Sequence, residues 1–351
     1  MRICFLGGMS GGGTESACYK VANELAAQND IFILSTAKFD PLFPLSHSVH
    51  FSKIKETSIF KRWIELFHFI RDNRIEVLIS LEAMSGIFTL MPSKLSGCRV
   101  IIWEHANYYQ NQGSRWIQKI RQLEILMADA YVVLTKRDLG NFQSHFRVKT
   151  RLKYIYNIAP FYSDHQYAHE SKTILSAGHI HLIKNYIVIP EIARSVFSKH
   201  PDWCWKIYGT PSGEYYEQVL AKVKEYGLEH HVLFCGRSKN MQHEYQDAAI
   251  YVMTSLYEGL PMVLLEAKAN GLPLVSFDIE TGPDEIIRDG VNGFLIPPYD
   301  TKIMAERICQ LIENNDLRKR FSDNAKLDLE KFSSDRIIEQ WNDLIKDVTE
   351  R

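Results

Sequence analysis

The chain has 351 residues, 46% of them hydrophobic and 24% charged, with a formal net charge of −1. This is the balance of a globular protein long enough for two domains. No apolar run approaches the length of a membrane span, and the stretch Met1 to Gly8 is too short for a signal sequence and enters a strand pattern, so a cytoplasmic protein is expected. Six cysteines, Cys4, Cys18, Cys98, Cys204, Cys235 and Cys309, are scattered without a C-x-x-C pair and read as buried free thiols. The small net charge hides an asymmetry. Residues 1–165 hold 20 Lys and Arg against 14 Asp and Glu, an excess of six positive charges, while the remainder holds 21 against 28, an excess of seven negative ones. A basic first half suits a phosphate-bearing or membrane-linked partner.

In chain order, short apolar runs alternate with helical periodicity. ICFLGG precedes a helix over Thr14 to Gln28. IFILST, a helix over Ile59 to Arg74, VLISL, a helix over Ser85 to Leu95, VIIWEH, a helix over Ser114 to Met127 and AYVVLT follow. This alternation predicts a doubly wound parallel α/β domain. A polar, irregular passage from Asn157 to Ser171 reads as a linker. The pattern then restarts with ILSAG, a helix over Asn185 to His200, WCWKIYG, a helix over Glu214 to Tyr226, HVLFCG and AAIYVMTS. The division expected is residues 1–165 and 166–331, with a last amphipathic helix in 332–351 returning to the first domain.

The loops at the strand ends carry the candidate chemistry. GGMSGGGTES, from Gly7 to Ser16, is glycine-rich between a strand and a helix, so backbone there can approach a ligand closely. It is neither a dinucleotide fingerprint, since Ser16 stands at the third glycine position, nor a P-loop, since Thr14 follows Gly13 where Lys is required. Both absences weigh against a dehydrogenase or a nucleoside triphosphatase. Nor is there a D-x-D anywhere; His179 and His181, on an expected strand with no further ligand nearby, make a poor zinc site, and no metal is expected.

The densest stretch is TSLYEGLPMVLLEAKANGLPLVSFDIETGPDE, from Thr254 to Glu285. A strand ending YVM leads into the turn Glu258-Gly259-Leu260-Pro261 and then a helix over Met262 to Asn270, closed by Gly271 ahead of Pro273. The free N–H groups and positive dipole end of this helix favour a phosphate. Glu266, one turn further in, is placed to accept from a hydroxyl beside that phosphate. A carboxylate inside VLLEA needs a partner to be tolerated, so a purely structural role for Glu258 and Glu266 is the weaker reading.

The block from Ser255 to Asp300 resembles glycosyltransferase family 4, whose members carry E-x7-E in such a setting, here Glu258 and Glu266. The resemblance implies the type B fold, two Rossmann-like doubly wound domains facing each other across a cleft. The first domain would bind the acceptor and the second the nucleotide-sugar. It implies that Glu266 holds the ribose, that Glu258 lies against the transferred sugar, and that Gly259, Leu260, Met262 and Val263 border the donor. Gly12, Gly13, Thr14 and Glu15 match the family's GG-x-E loop, and Lys184 its diphosphate lysine. His179 replaces the family's Arg, a departure from the pattern. His105, in WEHAN, matches a family histidine set against the donor sugar, with Glu104 as an acceptor-side candidate. Gly209-Thr210 and Gly236-Arg237-Ser238 match loops that line base and phosphates.

The implied activity is retaining transfer from a nucleotide-sugar, a UDP-sugar, to a lipid-linked oligosaccharide in bacterial surface-glycan assembly, with Lys184, Glu258 and His105 as the catalytic group and no cofactor. The expected partners are the donor, a saccharide acceptor and peripheral contact with the inner membrane; no nucleic acid is expected. The helices in FKRWIELFHFIRDNR and SRWIQKIRQ could rest on an anionic bilayer or simply turn an apolar stripe to the core. A donor-only epimerase of the same fold and a silent nucleotide-sugar-binding subunit are the competing classes.

Overall fold

The computed structural model describes residues 1–350 apart from 9–11, 38–39, 42, 57, 82–84, 111–113, 161–166 and 212. Part of the glycine-rich loop, including Gly11, and part of the expected linker lie outside the described residues. The chain forms two compact units, Met1–Ile158 with Glu330–Arg351, and Ala159–Leu329.

The first unit is built on seven strands: β1 Arg2–Gly7, β2 Asp30–Ser35, β3 Val49–Lys53, β4 Val77–Leu81, β5 Arg99–Trp103, β6 Ala130–Val133 and β7 Arg151–Tyr154. All pair parallel, in the order β3-β2-β1-β4-β5-β6-β7. Its helices are α1 Gly13–Leu25, α2 Ile59–Asp72, α3 Gly86–Ser96, α4 Arg115–Met127 and α5 Lys136–His145. The chain steps one way from β1 to β2 and the other way from β3 through β6. Right-handed crossovers therefore put α1 on one face of the sheet and α2, α3 and α4 on the other. With both faces covered, β4 and β6 are buried along their whole length, which is why they read as unbroken apolar runs.

The second unit repeats the plan with β8 Thr173–Ala177, α6 Ile189–Phe197, β9 Cys204–Tyr208, α7 Gly213–Glu225, β10 Val232–Gly236, α8 Met241–Gln246, β11 Ile250–Met253, α9 Met262–Ala269, β12 Leu274–Phe277, α10 Pro283–Ile286, β13 Gly293–Ile296, α11 Thr301–Glu313 and α12 Asn315–Asp323. Its strands are parallel in the order β10-β9-β8-β11-β12-β13. Strand order thus reverses between β1 and β4 in the first sheet and between β8 and β11 in the second. Crevices at such reversals, beyond the carboxyl ends of the strands, are where open α/β sheets bind ligands. The last helix, α13 Ser334–Thr349, packs on α1, burying Ile337, Trp341, Leu344, Ile345 and Val348. Trp341 meets Trp103 edge to face at 4.8 Å.

Three local expectations are corrected. The helix expected from Asn185 begins only at Ile189: Asn185 is left-handed (φ 55°), a 3-10 turn spans Tyr186–Val188, and Pro190 fits only a first helical turn. His179 and His181 lie in the loop after β8, not on a strand, and His181 Nδ1 accepts from the Ile183 amide at 3.2 Å. Of the cysteines, Cys235 is exposed and Cys204 half-buried, while Cys4, Cys18, Cys98 and Cys309 are buried free thiols.

Candidate active site

In the second unit, the loops that leave β8 and β11 flank the reversal of strand order and are tied to one another. Thr254 Oγ1 donates to the Lys184 carbonyl at 2.8 Å, and the Leu256 amide donates to the Ile183 carbonyl at 2.7 Å. These bonds bring together two residues 74 positions apart. Lys184 Nζ donates to Glu258 Oε1 at 2.6 Å, and Ser255 Oγ donates to the same oxygen at 2.7 Å. The two side chains are 18% and 15% exposed, so the pair is screened little by solvent yet open to a ligand. The sequence marked both residues but did not anticipate that they form one ion pair.

The turn from Glu258 to Pro261 is set by close backbone packing. Thr281 Oγ1 donates to the Glu258 carbonyl at 2.7 Å. Gly282 sits at φ 104°, where a Cβ would meet Pro261 Cδ at 2.5 Å and the Gly259 carbonyl oxygen at 2.9 Å, so no other residue fits. Thr281 and Gly282, which the motif reading passed over, hold the turn that carries Glu258. The TGP triplet after a strand is the signal that points to them. Helix α9 then starts at Met262 with Pro261 as its N-cap and no capping side chain, so its first amides are left for a ligand or solvent. Met262, Val263 and Gly259 are half-buried, whereas Leu260 is 5% exposed and belongs to the core beneath the turn. One turn in, Glu266 Oε2 accepts from the Tyr245 hydroxyl at 2.8 Å. Lys268, two residues on and therefore on another side of the helix, donates to the Ile286 carbonyl at 2.8 Å.

The ends of β8, β9 and β10 complete the rim. The Gly209 amide donates to the Gly236 carbonyl at 2.8 Å, and a Cβ on Gly209 would lie 1.9 Å from the Gly178 carbonyl oxygen. Only glycine allows these backbones to converge. His179 and Arg237 present exposed side chains at this edge. Burial, followed by the neighbouring Lys184 and His179, lowers the pKa of His181.

The first unit places its candidates separately. Gly12 is the extended N-cap of α1, followed by Gly13, exposed, and Thr14, half-buried. Glu15 is 1% exposed and turned inward beside Tyr19, whose hydroxyl pKa is raised by burial and then by Glu15. His105 follows β5 and lies against Trp103 at 4.5 Å between ring centroids. Burial lowers its pKa to about 3, so the imidazole is neutral near pH 7. Its Nε2 is buried without a hydrogen-bond partner among the described residues. A neutral imidazole of this kind can bond a hydroxyl but cannot serve as a general acid at neutral pH. Glu104 is corrected from acceptor-side candidate to structural element: it pairs with Arg121 Nε at 3.1 Å, the side chains being 2% and 1% exposed. Arg121 also donates to the Asn107 and Tyr108 carbonyls.

Among the described residues one trio has metal-ligand proximity, His200, Cys309 and Glu313, on α11 and the loop after α6. It includes none of the residues around Lys184 and Glu258.

Comparison with known proteins decides the class. Residues 162–328 match the family described as glycosyl transferases group 1. The chain is 29% identical over 349 residues to the amylovoran biosynthesis glycosyltransferase AmsD of Erwinia amylovora, spanning 95% of this chain and 96% of that one. The chain is a glycosyltransferase. The enzyme is also 24% identical to the GalNAc-alpha-(1->4)-GalNAc-alpha-(1->3)-diNAcBac-PP-undecaprenol alpha-1,4-N-acetyl-D-galactosaminyltransferase of Campylobacter jejuni, over 99% of both chains. A variant of S. aureus TarM, crystallised with fondaparinux, alpha-GlcNAc-glycerol and UDP, has the same fold. It is 16% identical, with a TM-score of 0.84 over 98% of this chain and 100% of that one. The enzyme thus has the type B glycosyltransferase fold, with two parallel sheets of seven and six strands.

Proposed function

We propose that the enzyme transfers a sugar, with retention at the anomeric carbon, from a UDP-sugar to a lipid-linked saccharide in the assembly of a bacterial surface polysaccharide. The observation that carries this reading is the Lys184–Glu258 pair at the reversal of strand order, beside the uncapped N-terminus of α9 and one turn from Glu266. This is a site for an anion joined to a polyhydroxylated group. Support for UDP comes from the TarM complex, and support for the acceptor class from the AmsD and PP-undecaprenol names of the relatives.

In this reading the donor diphosphate lies over the α9 amides of Met262 and Val263 and against Lys184, with the ribose hydroxyls on Glu266. Gly209 and Gly236 let backbone approach the nucleotide, and Arg237 or His179 adds charge at the rim. The bond from the anomeric carbon to the β-phosphate oxygen breaks, and the bond to the acceptor oxygen forms on the same face. The acceptor proton passes to the departing phosphate. Lys184 and the helix dipole stabilise the charge that develops on the leaving group, the term that usually dominates such catalysis. Glu258, aimed by Ser255 and Lys184, orients the sugar and offsets positive charge at the anomeric carbon.

The test is a panel of nucleotide-sugars with undecaprenyl-diphosphate-linked saccharides, read by release of the nucleoside diphosphate and by anomeric NMR of the product. Acceptor-dependent UDP release with an α product is the expected result. An epimerised donor in the absence of acceptor, or UDP binding without turnover on any acceptor, would overturn it.

A further inference from the structure

The second unit carries a cluster of metal-ligating side chains that the donor site does not use. Helices α6 and α11 pack against one another and run in the same direction, joined at both ends. At one end Thr301 Oγ1 donates to Glu191 Oε1 at 2.8 Å, and at the other His200 Nε2 lies 3.1 Å from Glu313 Oε1. A groove of about 410 Å³ lies between the helices, with Glu191, Ser195 and Lys199 on one side and Thr301, Lys302 and Cys309 on the other.

The contact of His200 with Glu313 would by itself be an ordinary ion pair at a helix end. A third group sets it apart: the ligand atoms of His200, Cys309 and Glu313 all lie within 4.8 Å of one another. Cys309 and Glu313 are four residues apart on α11 and so share one of its faces, and the loop after α6 brings His200 against that face. Cys309 is buried, while His200 and Glu313 have side chains 15% and 57% exposed. The cluster therefore has an inner thiol and an outer carboxylate. An ion held by bonds of about 2.0–2.3 Å at tetrahedral angles sets its ligand atoms roughly 3.3–3.7 Å apart. Small side-chain rotations would close these three donors on one ion.

We propose that His200, Cys309 and Glu313 bind a divalent cation of the zinc class, which fastens α11 to the end of α6. Thiolate, imidazole and carboxylate together suit Zn²⁺ or Co²⁺, whereas Mg²⁺ and Ca²⁺ take oxygen ligands. Three protein ligands leave a fourth position to water, on the solvent side where Glu313 is exposed. The charges agree. Thiolate and Glu313 bring two negative charges, Glu306 stands nearby as a third, and Lys199 is the opposing cation. Burial raises the pKa of the Cys309 thiol and Lys199 opposes that rise, so binding the ion releases the thiol proton to solvent. The claim is independent of the donor site, whose residues the trio does not include.

The test titrates the full chain, stripped of metal by a chelator, with Co²⁺ and then with Zn²⁺. One Co²⁺ per chain is expected, with sulfur-to-cobalt charge transfer in the near ultraviolet and the intense visible bands of a tetrahedral ion. Zn²⁺, which binds such donors more tightly, should bleach both. Zn²⁺ at about a hundredfold excess over its Kd should raise the melting temperature by about 5 °C. Cys309→Ser should abolish the charge-transfer band, and Cys235→Ser, at the exposed thiol, should keep it. Glu313→Gln and His200→Ala should each weaken Co²⁺ binding by about tenfold or more. Glu313 is exposed and Gln keeps its size, so that variant tests the claim even where Cys309→Ser does not fold, with far-UV circular dichroism of the metal-free protein as the check. No charge-transfer band, a band that survives Cys309→Ser, the weak visible spectrum of an octahedral ion, or a melting temperature unmoved by Zn²⁺ would overturn the proposal. Failure of the donor panel with ion binding intact would remove the catalytic reading and leave this one standing.

Discussion

The two units are one architectural plan used twice, and each holds an ion pair near the end of its sheet, yet the two pairs are built for different work. Glu104–Arg121 in the first unit is closed: both side chains are at most 2% exposed, and the guanidinium also serves two backbone carbonyls. Lys184–Glu258 in the second is open, with 18% and 15% of each side chain reached by solvent and an uncapped helix beside it. A charge with every donor and acceptor engaged is structural. A charge held in direction while still reachable is available to a substrate.

Breaking each pair should separate these roles. Arg121→Met, which leaves the Glu104 carboxylate buried without its partner, should cost about 3–5 kcal/mol of stability, measured by urea unfolding, with UDP affinity unchanged in the protein that remains folded. Lys184→Ala should lower turnover on the order of a hundredfold or more. It also strands the half-buried Glu258, so stability falls too, more than the motif alone suggests. Lys184→Ala combined with Glu258→Ala should recover stability and leave turnover lost. Recovery of turnover in that double variant would remove the pair from the chemistry.

Glu266→Gln sharpens the comparison within the second unit. Loss of a charged acceptor for a ribose hydroxyl should weaken UDP binding by about 1.5–3 kcal/mol in calorimetry. Unchanged affinity would take Glu266 away from the nucleotide.

A pH dependence in the first unit gives a further test. Asp138 is 3% exposed and accepts from the Tyr108 amide, and burial outweighs that bond to raise its pKa from 3.8 to about 7. The folded state therefore holds the proton more tightly than the unfolded one, and ionising Asp138 costs stability. The cost is absent below about pH 4, grows as pH rises to about 7, and is complete above it. Asp138→Asn keeps the acceptor and removes the titration. Its melting temperature should gain on the parent as pH rises from 5 to 8, and parallel curves would contradict the assignment.

Much of the fold is local and could be read from the chain. Fully buried parallel strands are continuous apolar runs, and the glycines that end them mark the loops. The Glu258–Glu266 spacing could be read because a turn and one helix carry both residues. Other elements were missed for local reasons. Strand β3, VHFSK, lies at the sheet edge and is half-exposed, so it lacks an apolar run. Helix α5, KRDLGNFQSH, hides behind Gly140, although Thr135, whose Oγ1 accepts from the Asp138 amide at 3.0 Å, gives the T-x-x-D signature of a helix start.

What the sequence determined by itself was the succession of elements, the absence of dinucleotide and P-loop fingerprints, and the identity of the strand-end residues. What the tertiary structure decided was partnership and exposure. Strand order places Lys184 beside Glu258 across 74 positions, and Glu104 beside Arg121 across 17. It also decided that α2, α3 and α4 leave Phe60, Leu95 and Trp116 exposed. Periodicity along one helix shows that a stripe exists, but the sheet beneath it covers one side only, and which side chains stay in water depends on that packing.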